Sequence, residues 1–209
     1  MPRCFLAVEL PPALKETIAV IQQRMRDRLA QELPGGLRLQ WVKPDAIHLT
    51  VKFLGDIPEE HVLALKTAAT ASVGSLASFV LEVVGSGTFP DPRSPRVLWL
   101  GLHEKEPADR SLPRLAAAAD TAAEALGYPR EGRPFAPHLT LARIKAGNRE
   151  VGQALARSSL LAPAERFGEV RVGCLALMKS DLRSSGAVYS KLWEIPLAPG
   201  GGERSTGVE

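Results

Sequence analysis

Apolar residues along this chain change their spacing several times, and each change marks an element. The run "CFLAVEL" from Cys4 is short, rich in strand formers and stopped by Pro11 and Pro12. After it Leu14, Ile18, Ile21, Met25 and Leu29 recur every three or four positions with charges between them, which predicts an amphipathic helix closed by the Pro-Gly-Gly from Pro34. The stretch "LQWVKPDAIHLTVKFLG" reads as one strand ending at Gly55 and Asp56. "PEEHVLALKTAATASV" opens with proline and two glutamates, a favourable first turn for a helix. "FVLEVVGSGTFP" and "RVLWLGLHE" read as two strands around a Gly/Pro/Asp/Ser-rich connection, and "SLPRLAAAADTAAEAL" as a helix with Gly127 as its cap. "APHLTLARI" is again a strand and "NREVGQALARSSL" a helix. "EVRVGCLALMKS" and "AVYSKLWEIPL" form a last strand pair joined by a Ser/Gly turn.

Strands that come in adjacent pairs favour antiparallel sheets, so the fold class is α+β. The succession strand–helix–strand–strand that starts at His48 starts again at His138, which suggests a duplicated unit. The expected architecture is two lobes related by a pseudo-twofold, each a mainly antiparallel sheet with flanking helices, and a cleft between them. Residues 1–198 are expected to form a single bilobal domain. The polar, Gly-rich stretch 199–209 is expected to be a flexible tail.

Composition narrows the class. Of 209 residues 45% are hydrophobic and 23% charged, which excludes wholesale disorder. A net charge of +3 and a sequence pI near 9.0 permit an anionic partner such as RNA. So small a surplus fits a local phosphate pocket better than a long nucleic-acid track. Two cysteines, Cys4 and Cys174, cannot make a disulfide framework or a CxxC zinc pair, and both read as buried, reduced core residues. The N-terminus is too soon broken by proline for a signal peptide, and no apolar run reaches the length of a membrane span. The expectation is a soluble, cytoplasmic monomer.

Only four histidines occur, and two share one frame: His48-Leu-Thr50 and His138-Leu-Thr140, each followed by an apolar residue. Along a strand His48, Thr50 and Lys52 share one face, and His138 shares its face with Thr140. Each motif thus pairs an apolar face with a face carrying an imidazole and a hydroxyl. One reading is a pair of strand histidines hydrogen-bonded to neighbours. In the other, one imidazole is a base and its counterpart an acid near neutrality, while the hydroxyls hold a phosphate between them. Two groups on opposite sides of phosphorus suit in-line displacement without metal. His61 and His103 lack a partner motif and read as surface residues.

The chain resembles the two-histidine phosphoesterases, specifically the RNA 2′,3′-cyclic phosphodiesterases once called 2′-5′ RNA ligases. The blocks "RCFLAVELP", "IHLTVKFLGD", "RPFAPHLTLARI" and "LMKSDLRSSGAVYSKLWEIPL" carry the resemblance in order over nearly the whole chain. The resemblance implies hydrolysis of a terminal 2′,3′-cyclic phosphate to a 2′-phosphomonoester, with His48 and His138 catalytic and no cofactor or metal. It implies that Thr50 and Thr140 bind phosphate, that Arg143 contacts it, and that Phe53 packs against the terminal nucleoside. His138 is taken as base and His48 as acid. The implied partner is RNA with 2′,3′-cyclic phosphate ends, including tRNA fragments. Strict alternation would turn Phe53 and Arg143 away from the histidines, so both strands must bend or bulge. Lys52 is a candidate for added positive potential and Arg133 for steering RNA.

Rival functions lack their motifs. "VKPDA" has Ala46 where an ATP-dependent ligase needs glycine after the aspartate, and no phosphate loop is present, though reversal of the hydrolysis could join 2′-5′ ends of tRNA halves. There is no HExxH for zinc and no GxSxG for a serine hydrolase. An RNA-binding module could use Gly85-Ser86-Gly87 and the basic "PRSPR" loop, but no aromatic stacking platform shows in the sequence.

Overall fold

A computed structural model describes residues 1–33, 38–106, 109–183 and 186–200. The Pro34–Gly36 helix closure, the serines of the last turn and the tail from 201 lie outside the described residues. The elements in chain order are β1 (Arg3–Glu9), α1 (Pro12–Glu32), β2 (Arg38–Trp41), a 3-10 turn (Pro44–Ala46), β3 (His48–Asp56), α2 (Glu59–Val73), β4 (Phe79–Phe89), β5 (Val97–Glu104), α3 (Ser111–Glu124), β6 (His138–Ala146), α4 (Asn148–Ser158), β7 (Arg166–Val172), β8 (Cys174–Arg183) and β9 (Gly186–Pro196).

The strands form one antiparallel sheet in the order β7-β4-β5-β6-β3-β1-β8-β9, with β2 added to β6. Its two histidine-bearing strands lie side by side in the middle, and each begins a half of four strands. Helices α1 and α4 pack together, α1 also against β7, while α2 and α3 pack together against β9 and β3. Alternation then divides β1. Cys4, Leu6 and Val8 enter the helix-backed core with Ile18, Leu65 and Leu115, while Phe5 and Ala7 join Ala176 and Met178 in a small cluster on the helix-free face.

Both expected halves are present, but they are not the linear repeat. β4, β5 and β7 join β6, whereas β8 and β9 join β3 through β1. A strand's pattern shows that it pairs, not with which distant edge, so interleaved halves look like a simple tandem in sequence.

Two strand boundaries also differ from expectation. "LQWVKPDAIHLTVKFLG" breaks at Pro44, which lacks an N–H and starts the 3-10 turn, so only β3 carries the histidine. "EVRVGCLALMKS" is two strands parted at Gly173: "EVRV" pairs with β4, and Cys174 begins the partner of β1 and β9. Cys174 is consequently exposed, not buried. Cys4 is buried, and burial raises its thiol pKa to about 11.

Candidate active site

β3 and β6 meet at Leu49 and Leu139, which are Cα partners. Continuing that antiparallel register puts His48 opposite Thr140 and Thr50 opposite His138. Both leucines are buried in the helix-backed core, so both His/Thr pairs face the helix-free side. Along the strand order the halves adjoin at β3 and β6, and the site lies on their seam.

Each strand then bulges at the same place. On β3, Leu6 opposes Lys52 while Ala7 opposes Thr50, leaving Val51 as an extra residue. On β6, Leu98 opposes Ala142 while Trp99 opposes Thr140, leaving Leu141 extra. A one-residue bulge reverses the faces beyond it. Val51 and Lys52 are both buried, as are Leu141 and Ala142, and Phe53 and Arg143 return to the histidine face. Phe53 is 66% exposed, and its ring centroid is 6.2 Å from that of Phe5, which faces the same way.

The bulge corrects the expectation for Lys52. It adds no positive potential beside His48; it points to the opposite face, where its Nζ meets Asp120 of α3 at 2.6 Å and the Pro129 carbonyl at 2.6 Å. A residue the sequence reading passed over secures the other bulge. Gln22 of α1 is buried and donates its amide to the carbonyls of Val42, at 2.8 Å, and Leu141, at 2.9 Å. The signal was a glutamine on the apolar stripe between Ile18 and Met25, where a polar side chain must find buried partners.

The two imidazoles are held alike. His48 Nδ1 lies 2.9 Å from the Ala46 carbonyl, and His138 Nδ1 lies 2.7 Å from the Ala136 carbonyl. A carbonyl only accepts, so each Nδ1 carries a proton and each Nε2 is left for chemistry. Burial pulls the pKa of both rings below 6.5; the carbonyl bonds oppose this, and the Arg143 guanidinium adds to it. Arg143 is exposed and has no carboxylate partner among the described residues. Phe5 stacks on His48, with centroids 4.6 Å apart and planes at 23°, and Tyr189 meets the same ring edge-on at 5.0 Å. Burial raises the Tyr189 pKa, with Arg143 opposing. Neither Phe5 nor Tyr189 had a sequence motif; only strand order brings β1 and β9 to His48.

The remaining candidates lie elsewhere or serve structure. Arg133 is exposed and pairs with Glu131 at 3.5 Å. His61 is half-buried and hydrogen-bonded to the Tyr128 hydroxyl at 2.8 Å, so it joins α2 to the segment after α3 instead of standing free on the surface. His103 is exposed at the end of β5. Gly85-Ser86-Gly87 is a strand bulge, with Ser86 accepting the Ala162 N–H at 2.8 Å. The "PRSPR" loop rests its Pro92 and Arg93 carbonyls where a Cβ on Gly152 of α4 would sit.

The chain matches the family model described as LigT like Phosphoesterase over residues 8–99 and 104–189. An RNA 2′,3′-cyclic phosphodiesterase of Archaeoglobus fulgidus is 32% identical over 190 residues, covering 91% of this chain and 97% of that protein. One from Thermus thermophilus is 32% identical over 215 residues, covering 98% and 99%. The crystal structure of Escherichia coli LigT complexed with 3′-AMP superposes with a TM-score of 0.67 at 27% identity, covering 94% of this chain and 98% of that one.

Proposed function

The chain belongs to the LigT-like phosphoesterases, and on that premise we propose that it hydrolyses RNA terminal 2′,3′-cyclic phosphates to 2′-phosphomonoesters by acid–base catalysis with two histidines. One observation carries this reading: each imidazole is tied through Nδ1 to a carbonyl two residues back, and each keeps Nε2 for a proton transfer. The names of the relatives and the 3′-AMP complex of Escherichia coli LigT support a nucleotide phosphoester as the substrate.

In this mechanism Thr50, Thr140 and Arg143 bind the non-bridging oxygens of the cyclic phosphate and stabilise the charge gathering there. His138 Nε2 takes a proton from water as the water oxygen attacks phosphorus. The bond from phosphorus to O3′ breaks, and protonated His48 gives its Nε2 proton to O3′. The 2′-phosphate stays on the ribose, and the two histidines have exchanged protonation states. Phe53 offers its exposed ring to the terminal nucleoside. Every proton is moved by a side chain, so the reaction proceeds in EDTA. Residues 1–198 form the catalytic domain on this reading, supported by a sheet that runs unbroken from β1 to β9.

The test is an oligoribonucleotide ending in a 2′,3′-cyclic phosphate, incubated in EDTA with the wild type, His48→Ala and His138→Ala. A 2′-phosphate formed by the wild type and lost by at least a thousand-fold in both variants is the expected result. An intact cyclic end with RNA still bound would leave an RNA-binding module in its place.

A further inference from the structure

We propose that Phe89 and Trp99 form a second nucleobase subsite, on the His138 side of the phosphate, for a nucleoside joined to phosphorus through its 5′-oxygen. This rests on the cyclic phosphodiesterase reading for the position of the phosphate.

Trp99 is the Cα partner of Thr140 on one side and Gly87 on the other, and Phe89 on β4 shares the face of Gly87. Both rings therefore lie on the histidine face. A Cβ on Gly87 would fall 2.4 Å from Trp99 Cζ2 and 2.5 Å from Cη2, so the indole lies directly over that glycine. Phe89 lies 5.2 Å from Trp99 with planes at 34°, and meets His138 edge-on at 5.0 Å. Neither ring belongs to the helix-backed core or to the Phe5 cluster, and both are only half-buried. Two aromatics on a sheet surface, unused by any core and adjoining a phosphate site, are what a nucleobase stacks on.

The arrangement also answers the wall at the other histidine. Phe5, Phe53 and Tyr189 gather beside His48, where the terminal nucleoside and its 3′-oxygen lie in the mechanism above. In-line geometry puts the attacking oxygen on the opposite side, beside His138. A nucleoside whose 5′-oxygen occupies that position carries its base toward Phe89 and Trp99. A diester has one nucleoside on each side of phosphorus, and the seam has one aromatic wall beside each histidine.

The experiment uses 3′-deoxyadenylyl-(2′→5′)-adenosine, which lacks the neighbouring hydroxyl needed to close a cyclic phosphate, and 3′-deoxyadenosine 2′-monophosphate, which lacks the second nucleoside. Their Kd values are measured by calorimetry on the full chain, wild type, Trp99→Leu, Trp99→Phe and Gly87→Ala. The expected result is a dinucleotide bound about ten-fold more tightly than the mononucleotide by the wild type, the gain from one base–aromatic stack. That ratio falls to about one in Trp99→Leu. Gly87→Ala, whose new methyl displaces the indole, lowers it as well. Trp99→Phe keeps an aromatic and most of the ratio; the indole N–H it removes has no acceptor among the described residues. Mononucleotide affinity reports in each variant whether the phosphate site is still formed. A wild-type ratio near one, or a ratio unchanged in Trp99→Leu, overturns the subsite. Hydrolysis of adenosine 2′,3′-cyclic phosphate, assayed in parallel, separates the two claims: its absence with the ratio intact removes the cyclic phosphodiesterase reading and leaves the platform.

Discussion

The Gln22 side chain of α1 donates a hydrogen bond of 2.9 Å to the carbonyl of Leu141, the extra residue in the β6 bulge, 119 positions away in sequence. The same carbonyl accepts the Val42 N–H at 2.9 Å, so both its acceptor positions are filled. This buried amide holds the irregularity that turns Arg143 onto the histidine face. Gln22→Leu removes the donor to the buried Leu141 carbonyl and the half-buried Val42 carbonyl and is expected to cost about 1–3 kcal/mol in urea unfolding. It is also expected to lower kcat/KM beyond the effect of stability, because Arg143 is aimed by the bulge. A variant with full activity at temperatures where it stays folded would show that Arg143 holds its position unaided.

Lys52 holds the matching bulge on β3 from the helix side. Its side chain is 5% exposed and that of Asp120 22%, so removing one partner strands the other with little water. Lys52→Ala is expected to destabilise by about 3–5 kcal/mol. The double variant Lys52→Met with Asp120→Leu is expected to recover much of that loss, because no charge remains uncompensated. Denaturant unfolding of the wild type and these two variants checks both statements. Equal losses in the single and double variants would show that packing, not charge, is what Lys52 provides.

Burial and Arg143 both lower the proton affinity of the histidine pair. Under the proposed mechanism kcat/KM is expected to fall at low pH as the base becomes protonated, and at high pH as the acid loses its proton. With both rings held below 6.5, the alkaline limb is expected to lie below pH 6.5, and the two apparent values of the whole profile belong to the pair. Arg143→Gln removes a positive charge, favours the protonated rings and so moves the alkaline limb to higher pH. The pH profile of kcat/KM for a nucleoside 2′,3′-cyclic phosphate is the measurement. A limb that stays in place would remove Arg143 from the electrostatics of the site.

Phe53 is a large ring left in solvent, and this separates a binding role from a packing one. Phe53→Ala is expected to leave the unfolding free energy within about 0.5 kcal/mol of wild type. Loss of one base stack is expected to raise KM for the cyclic phosphate about ten-fold. A large drop in Tm with unchanged KM would make Phe53 part of the fold instead.

Much of this was legible in the chain. The amphipathic spacing of Leu14, Ile18, Met25 and Leu29 predicts α1, and all four are buried. The repeated His-Leu-Thr frame singles out two strands, and alternation already separates their polar faces from Leu49 and Leu139. The demand that Phe53 and Arg143 rejoin the histidines implies a bulge, and the register shows one in each strand. The same alternation, applied without the bulge, misplaced Lys52. Pro44 and Gly173 cut strands that apolar content alone had joined, since hydrophobicity marks burial and not the partner.

The sequence by itself determined most of the elements, their alternating faces and the placing of one imidazole and one hydroxyl on each of two strands, because those follow from local periodicity and residue type. Only the tertiary structure decided that β3 and β6 lie side by side, that the halves interleave, and that Phe5, Tyr189 and Phe89 stand beside the histidines, with Trp99 against Phe89. Pairing between strands distant in the chain depends on complementary edges and on the closure of a common core, and no local pattern carries that information.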